Sequence, residues 1–369
     1  MTQTEEQEIL LNQIPKRTSG LLNLSVRIGK TKLAIDLLER DNYKKILWVT
    51  AEASLRDKTL PEEFKKWNKL KLLKNTTFIC YGSLRKYNPL DYDIVILDEY
   101  QKCTPVNMIR FLSLVRLPVI IGLSGTHPKN FDKKDLFKTL KLGVMAKLTI
   151  DEAVKKELIA PYTIHLVSCE LNTAKTISIV NTKHNFNTSE KLNYAYVSKE
   201  IEALQRNELP VSKYLAIRRA CSIYSYPSKS AKAVQLTKML GGRTLIFFPR
   251  IEFAENSRFP TYHSKTSNVN LSRFIEGKIN TLACVSAGSL GTTFRNVDNL
   301  IIIQADSNQT GGTTQKLGRA LVKQHNYKAQ IYILYFKDTV DEIWARKAIS
   351  AFESANIIET NYNQLKTTK

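Results

Sequence analysis

The 369-residue chain is poor in cysteine, and its cysteines do not pair in sequence. The five, Cys80, Cys103, Cys169, Cys221 and Cys284, are scattered without a C-x-x-C spacing. That argues against a zinc module and against a disulfide scaffold. Several lie in apolar runs and read as buried thiols in a reducing compartment. No apolar stretch reaches the roughly 20 residues of a membrane span. The opening residues, Met1-Thr2-Gln3-Thr4-Glu5-Glu6, do not read as a secretion signal. These absences point to the cytoplasm, the host's if the protein is viral. Internal repeats, low-complexity tracts and like-charge blocks are also missing. Acid is scarce relative to base: Asp+Glu number 34 against 55 Lys+Arg, a net charge of +21. Spread over folded surface, that excess implies a polyanionic partner, most simply nucleic acid. A hydrophobic fraction of 43% is ordinary for a globular chain, and the length predicts two or three domains.

What is present alternates strand with helix. Residues 4–14 read as a short helix with Thr4 as N-cap. Strands are predicted at residues 21–24, 46–50, 77–81, 94–97 and 119–123. Helices are predicted at 32–38, at 60–74 with Phe64, Trp67 and Leu70 on one face, and at 108–114. Continuous apolar strands between helices mean a parallel sheet covered on both faces. Residues 171–227 are polar, rich in Asn, Lys and Ser, with helical patches at 198–204 and 211–220. Alternation resumes with strands at 243–248, 281–285, 300–303 and 330–335, closed by a helix at 340–352. The division expected is a first lobe over 1–168, a linker and helical insertion over 169–227, and a second lobe over 228–369.

Two stretches carry chemistry. Ser25-Val26-Arg27-Ile28-Gly29-Lys30-Thr31 lies between a buried strand and an amphipathic helix, the context of a phosphate-binding loop. Loop N–H groups and the helix N-terminus meet phosphate charge. Lys30 would reach the β- and γ-phosphates, and the Thr31 hydroxyl would ligate Mg²⁺. The usual glycines are absent at 24, which is Leu, and at 27, which is Arg. Either the loop wraps the phosphates less closely, or Arg27 supplies charge where backbone usually does. The second stretch is Asp98-Glu99-Tyr100-Gln101, at the C-terminal end of the apolar strand 94–97. Two carboxylates there are costly unless something binds them, and α/β sheets place ligands at that edge. A solvated strand-to-helix turn would look similar. Together with Gly29-Lys30-Thr31, Asp98 reads as the Mg²⁺ partner and Glu99 as the base that orients the attacking water.

These motifs resemble a superfamily 2 helicase or translocase motor. The D-E-x-H/D-x-x-Q box appears as Asp98-Glu99-Tyr100-Gln101, and the S-G-T coupling motif as Ser124-Gly125-Thr126. Within the superfamily the chain is most similar to the Swi/Snf-type branch. Motif V reads Ala287-Gly288-Ser289-Leu290-Gly291-Thr292-Thr293-Phe294, and motif VI reads Gln315-Lys316-Leu317-Gly318-Arg319-Ala320-Leu321-Val322. Cys80-Tyr81-Gly82-Ser83-Leu84 resembles the branch's Y-x-x-L segment, and residues 151–162 the usual end of the first lobe. The compact length is like that of phage and viral members.

The resemblance implies two tandem RecA-like lobes with parallel sheets, binding ATP and Mg²⁺ and acting on nucleic acid without reading sequence, DNA before RNA. It implies an ATP set of Gln7, Arg27, Ile28, Gly29, Lys30, Thr31, Lys32, Gly291, Gln315 and Arg319. Gln7 is the candidate adenine reader, with Gln13 as rival. Catalysis would fall to Lys30, Asp98, Glu99, Gln101 and the arginine finger Arg319. The second motif VI arginine is replaced by Val322, so Arg319 carries the finger role alone. Ser124 and Thr126 would couple hydrolysis to movement. Nucleic-acid contacts are implied at Thr50, Tyr81, Ser83, Arg250, His263, Ser286 and Thr292. The rival function is a nucleotide-dependent binding or clamp protein with weak ATPase.

Overall fold

The computed structural model describes residues 2–125, 131–180, 185–285, 294–306, 312–318, 320–323 and 328–367. Among them stand two parallel sheets, each with helices on its faces. By contacts the chain divides at Pro161 into two compact units. The helix Gly312–Gly318 and residues 320–323 belong with the first.

The first unit's sheet comprises β1 (Gly20–Leu24), β2 (Ile46–Thr50), β3 (Thr76–Cys80), β4 (Ile94–Asp98), β5 (Val119–Ser124) and β6 (Val144–Leu148), in the order β3-β2-β4-β5-β1-β6. Every pairing is parallel. Ile94, Val95, Ile96 and Leu97 are all fully buried, which is why this segment reads as an unbroken apolar run. Burial of each such side chain contributes about 1.5–3 kcal/mol. On one face Val95, Leu97, Tyr100, Phe111 and Phe137 pack together. Phe64 packs edge-on against both Trp48 and Phe78, with centroids 5.7 Å apart in each case.

Two local expectations change. The N-cap of the first helix, Gln3–Gln13, is Thr2 rather than Thr4. Its hydroxyl accepts from Glu5 N–H while the Glu5 carboxylate accepts from Thr2 N–H, a reciprocal box. The single helix expected over 60–74 is two, Leu60–Lys66 and Leu70–Lys74. Asn68 turns left-handed (φ 57°), and Lys69 N–H closes back on the Phe64 carbonyl at 2.8 Å, which terminates the first piece.

The second unit's sheet comprises β7 (Tyr162–Cys169), β10 (Thr244–Phe247), β11 (Thr261–Tyr262), β12 (Thr281–Cys284), β13 (Asn299–Ile302), β14 (Ala329–Phe336) and β15 (Ile357–Asn361). Their order is β11-β12-β10-β13-β14-β7-β15, again all parallel. β7 pairs with β14 from Tyr162↔Ala329 to Cys169↔Phe336. The chain therefore passes to the second sheet at Pro161, not at residue 168. An antiparallel hairpin, β8 (Ile177–Val180) with β9 (Asn185–Thr188), and two helices, Glu190–Arg206 and Lys213–Ser225, form the insertion. Glu190, fully buried, anchors it by accepting from Asn172 N–H, Ser228 N–H and the Ser228 hydroxyl. Beneath, buried Lys229 binds both the Asp341 carboxylate and the Gln304 side chain. No helix of the described residues is long and apolar enough to cross a membrane.

Candidate active site

Because all strands of the first sheet run parallel, their C-terminal ends share one edge. β1 lies beside β5, and β5 beside β4. The register pairs Asn23 with Ser124 and Asp98 with Leu123. The phosphate-loop stretch, Ser124 and Asp98–Glu99 are therefore neighbours, though far apart in sequence. β1 leads through residues 25–29 into the helix Lys30–Arg40, whose buried Leu33, Ala34, Leu37 and Leu38 hold it on the sheet.

The loop is held from behind by the N-terminal helix. Gln3 donates its side-chain amide to the Arg27 carbonyl at 2.9 Å. Gln7 donates to the carbonyls of Ile28 at 2.7 Å and Gly29 at 3.3 Å. A trans peptide points its N–H opposite to its C=O. Drawing three successive carbonyls towards the helix turns the following N–H groups the other way, which is the geometry of an anion nest. Gly29 takes φ 76°, and a Cβ there would come within 2.3 Å of the Gln7 amide nitrogen, so any other residue would be strained and would displace the Gln7 side chain from the loop. The helix is itself fixed. Arg40 donates to the Leu11 and Ile14 carbonyls at its C-terminal end, and the buried Glu6 pairs with Lys156 at 2.7 Å. Gln13, the rival to Gln7, is exposed.

Lys30 Nζ lies 3.4 Å from the Leu24 carbonyl and 3.3 Å from that of Ser25, across the mouth of the loop. Lys32 is turned elsewhere: its ammonium pairs with Asp36 at 2.5 Å and sits 4.9 Å over the Trp67 ring. Arg27 adopts φ 68°, the left-handed conformation glycine usually supplies. Its Nε donates to the Gly318 carbonyl at 2.9 Å. Gly318 closes the helix that carries Gln315, and a Cβ on it would stand 2.9 Å from Val26 Cβ.

At the end of β4, burial and the adjacent Glu99 carboxylate push the Asp98 carboxyl up to about 7, with Lys30 opposing. Glu99 is held left-handed at φ 56°, a strained conformation of the kind found at functional sites. Its carboxylate accepts from the Gln101 amide at 2.6 Å, and the Gln101 carbonyl oxygen accepts from the Ser124 hydroxyl at 2.5 Å. Gln101 and Ser124 are buried. Lys133 donates to the Gln101 backbone carbonyl.

Among the described residues no group of three or more His, Cys, Asp or Glu gathers as a metal cage. The available donors suit Mg²⁺ nevertheless, because that ion is commonly held by one or two carboxylates and substrate phosphates. An acidic carboxyl raised by burial beside a second carboxylate gains from a cation.

Other candidate positions vary. Thr50 pairs with Cys80 across β2 and β3, so Thr50, Tyr81 and Ser83 share the same sheet edge. Thr50 and Tyr81 are buried, the Tyr81 hydroxyl donating to the Asp98 carbonyl at 2.9 Å and so bracing the carboxylate's strand end. In the second unit His263 is buried, its Nδ1 accepting from Lys265 N–H, while Arg250 is exposed beside Glu252 at 3.1 Å. Thr126, Ser286, Gly291, Thr292 and Arg319 lie outside the described residues. Sequence reasoning missed Gln3 and Lys133. Gln3 stands four residues before Gln7 on one helix face, a spacing visible in the sequence. Lys133 carried no such signal.

No protein-family model and no curated protein matches the chain. Solved structures do. The Hef helicase domain of Pyrococcus furiosus aligns over 93% of this chain and 97% of its own, with TM-score 0.54 and 14% identity. The ATP-dependent Type ISP restriction-modification enzyme LlaBIII, bound to DNA, gives TM-score 0.59 and 11% identity over 97% of this chain. The match spans 31% of that enzyme's chain. Dbp5 of S. cerevisiae, bound to RNA and ADP BeF3, gives TM-score 0.54 and 11% identity over 99% of this chain and 90% of its own. The fold is thus one these structures share, two tandem RecA-like α/β domains. At such identities the likeness establishes fold alone.

Proposed function

We propose that the protein is a nucleic-acid-dependent ATPase, a helicase or translocase acting on DNA. The observation that carries the reading is the strand-end assembly: a backed phosphate loop, Lys30 across its mouth, and Asp98–Glu99 tied through Gln101 to Ser124. The nest of N–H groups after Arg27, with the N-terminus of the helix Lys30–Arg40, receives the phosphates. Lys30 pairs with the β- and γ-phosphate charge. The Thr31 hydroxyl and the Asp98 carboxylate would hold Mg²⁺, which when bound neutralises phosphate charge. Glu99, kept in one orientation by Gln101, positions the water and takes its proton. Gln7 has committed its amide hydrogens to the loop, which leaves its carbonyl oxygen to accept from an adenine amino group. Arg319, following the helix gripped by Arg27, is assigned the finger role. Ser124 with Thr126 links the site to the nucleic-acid contacts, and the motif V sequence favours the Swi/Snf-type branch and duplex DNA. The +21 charge supports binding without base readout.

The test is the steady-state ATPase rate with single-stranded DNA, duplex DNA or RNA at low salt. Stimulation by DNA is expected. Stimulation by RNA alone would overturn the substrate, and stimulation by none of the three would overturn the motor.

A further inference from the structure

The insertion formed by β8, β9 and the two helices packs Ile177, Tyr194 and Ile223 into the second sheet's core, yet its exposed side is not an ordinary solvated surface. On the helix Glu190–Arg206, Leu192 and Tyr196 are one turn apart and both exposed, with Lys199 and Arg206 on the same face. On the helix Lys213–Ser225, Tyr214, Ile217 and Arg218 form a second exposed stripe. The two helices pack together, and the Arg218 guanidinium lies 5.4 Å over the Tyr196 ring, so the stripes join. Tyr196 is 67% exposed and Tyr214 73%, unusual for aromatic rings on a soluble face.

We propose that this face is a platform for single-stranded nucleic acid, auxiliary to the contacts of the proposed motor, on whose reading it rests. The charges argue for that occupant. Lys199, Arg206 and Arg218 sit among the aromatic and apolar side chains. Glu200 and Glu202 lie towards the margins, about 80° round the helix from Leu192. Glu190 is turned inward on Ser228 and Asn172. Protein interface cores are depleted in lysine, whereas single strands are held by aromatic rings interleaved with cations. A guanidinium already stacked on one tyrosine, with a second tyrosine four residues before it, matches that chemistry. Bases stack on the rings and phosphates meet the three cations.

The experiment is fluorescence anisotropy of labelled dT20 and rU20 with the full chain across a salt series, and basal ATPase without nucleic acid as control. Tyr196→Ala/Tyr214→Ala should weaken binding by roughly 5- to 150-fold for each stacked base lost. Tyr196→Phe/Tyr214→Phe, which keeps the rings, should bind as wild type does. Arg218→Ala should reduce the log–log salt slope by about 0.7. Basal ATPase should not change in any of them. Wild-type binding with equal affinity in the double alanine variant overturns the platform and leaves the motor standing. So does a wild-type dimer that the double variant dissolves with oligonucleotide affinity unaltered, since the face then belongs to a second copy. A wild-type chain that binds neither oligonucleotide overturns the platform, and the motor is then decided by whether duplex DNA stimulates its ATPase.

Discussion

Arg27 donates from Nε to the carbonyl of Gly318 at 2.9 Å. The residue standing where a phosphate loop usually has glycine thus grips the helix that leads into Arg319. Of the two roles open to Arg27 from sequence, charge for the phosphates or a looser loop, this contact adds a third, a mechanical hold. Arg27→Ala keeps the left-handed backbone and loses the bond. Stability should fall by about 1 kcal/mol, and kcat should fall more than KM rises. Steady-state kinetics beside chemical denaturation would check both, and an unchanged kcat would leave the hold without a part in turnover.

The same junction gives a steric test. A methyl on Gly318 would stand 2.9 Å from Val26 Cβ and 3.0 Å from its Cγ2. Gly318→Ala should push the helix off the loop and lower ATPase activity. Val26→Ala in the same chain should restore part of it. Activity in Gly318→Ala equal to wild type would show that the close approach is not needed.

The carboxyl of Asp98, pushed up to about 7 by burial and by Glu99, predicts a pH dependence. A folded-state value above the ordinary one means that the protonated form favours folding. Without a cation, that contribution is complete below about pH 4 and is lost as pH rises through about 7. Asp98→Asn should therefore stabilise the nucleotide-free protein at pH 8 and not at pH 4. A cation must displace the same proton, so MgATP affinity should decline below about pH 7, by at most about tenfold per unit. Thermal midpoints and nucleotide titrations at both ends of the range would show it. A flat MgATP profile would remove Asp98 from the cation's ligands.

Ser124 joins the chain of hydrogen bonds that ends on Glu99. Ser124→Ala leaves the buried Gln101 oxygen without its donor, at a cost of about 1–3 kcal/mol. It also frees Gln101 to swing from Glu99. Nucleotide affinity should hold while stimulation by DNA drops. Equal stimulation in the variant would put the coupling elsewhere.

In the second unit, Lys229 and Asp341 are both fully buried and bound to each other. Lys229→Met leaves an uncompensated carboxylate and should destabilise by about 3–5 kcal/mol. The double change Lys229→Met/Asp341→Leu should recover much of that. A single variant as stable as wild type in urea would show the pair to be dispensable.

Much of this was legible in sequence, for identifiable reasons. β4 announced itself because both faces of a parallel sheet are covered, leaving no polar position from Ile94 to Leu97. Gly29-Lys30-Thr31 stood out because strand and helix flank it. The break at Asn68 was hidden because Trp67 and Leu70 continue the helical period across it. β7 read as the end of the first lobe because chain order does not reveal which sheet a strand joins; its eight pairings with β14 are contacts across more than 160 residues. The glutamine side chains behind the loop are half visible in sequence: Gln7 reads there as the candidate adenine reader, while its bonds to the Ile28 and Gly29 carbonyls depend on tertiary placement.

The most direct measurement is phosphate release from MgATP by wild type and by Glu99→Gln, with nucleotide binding measured on the same samples and DNA present or absent. The account predicts that wild type turns over ATP faster with DNA. It predicts that Glu99→Gln binds MgATP as tightly as wild type and releases almost no phosphate in either condition. Turnover by Glu99→Gln at the wild-type rate would contradict the assignment of the strand-end carboxylates, and with it the proposed active site.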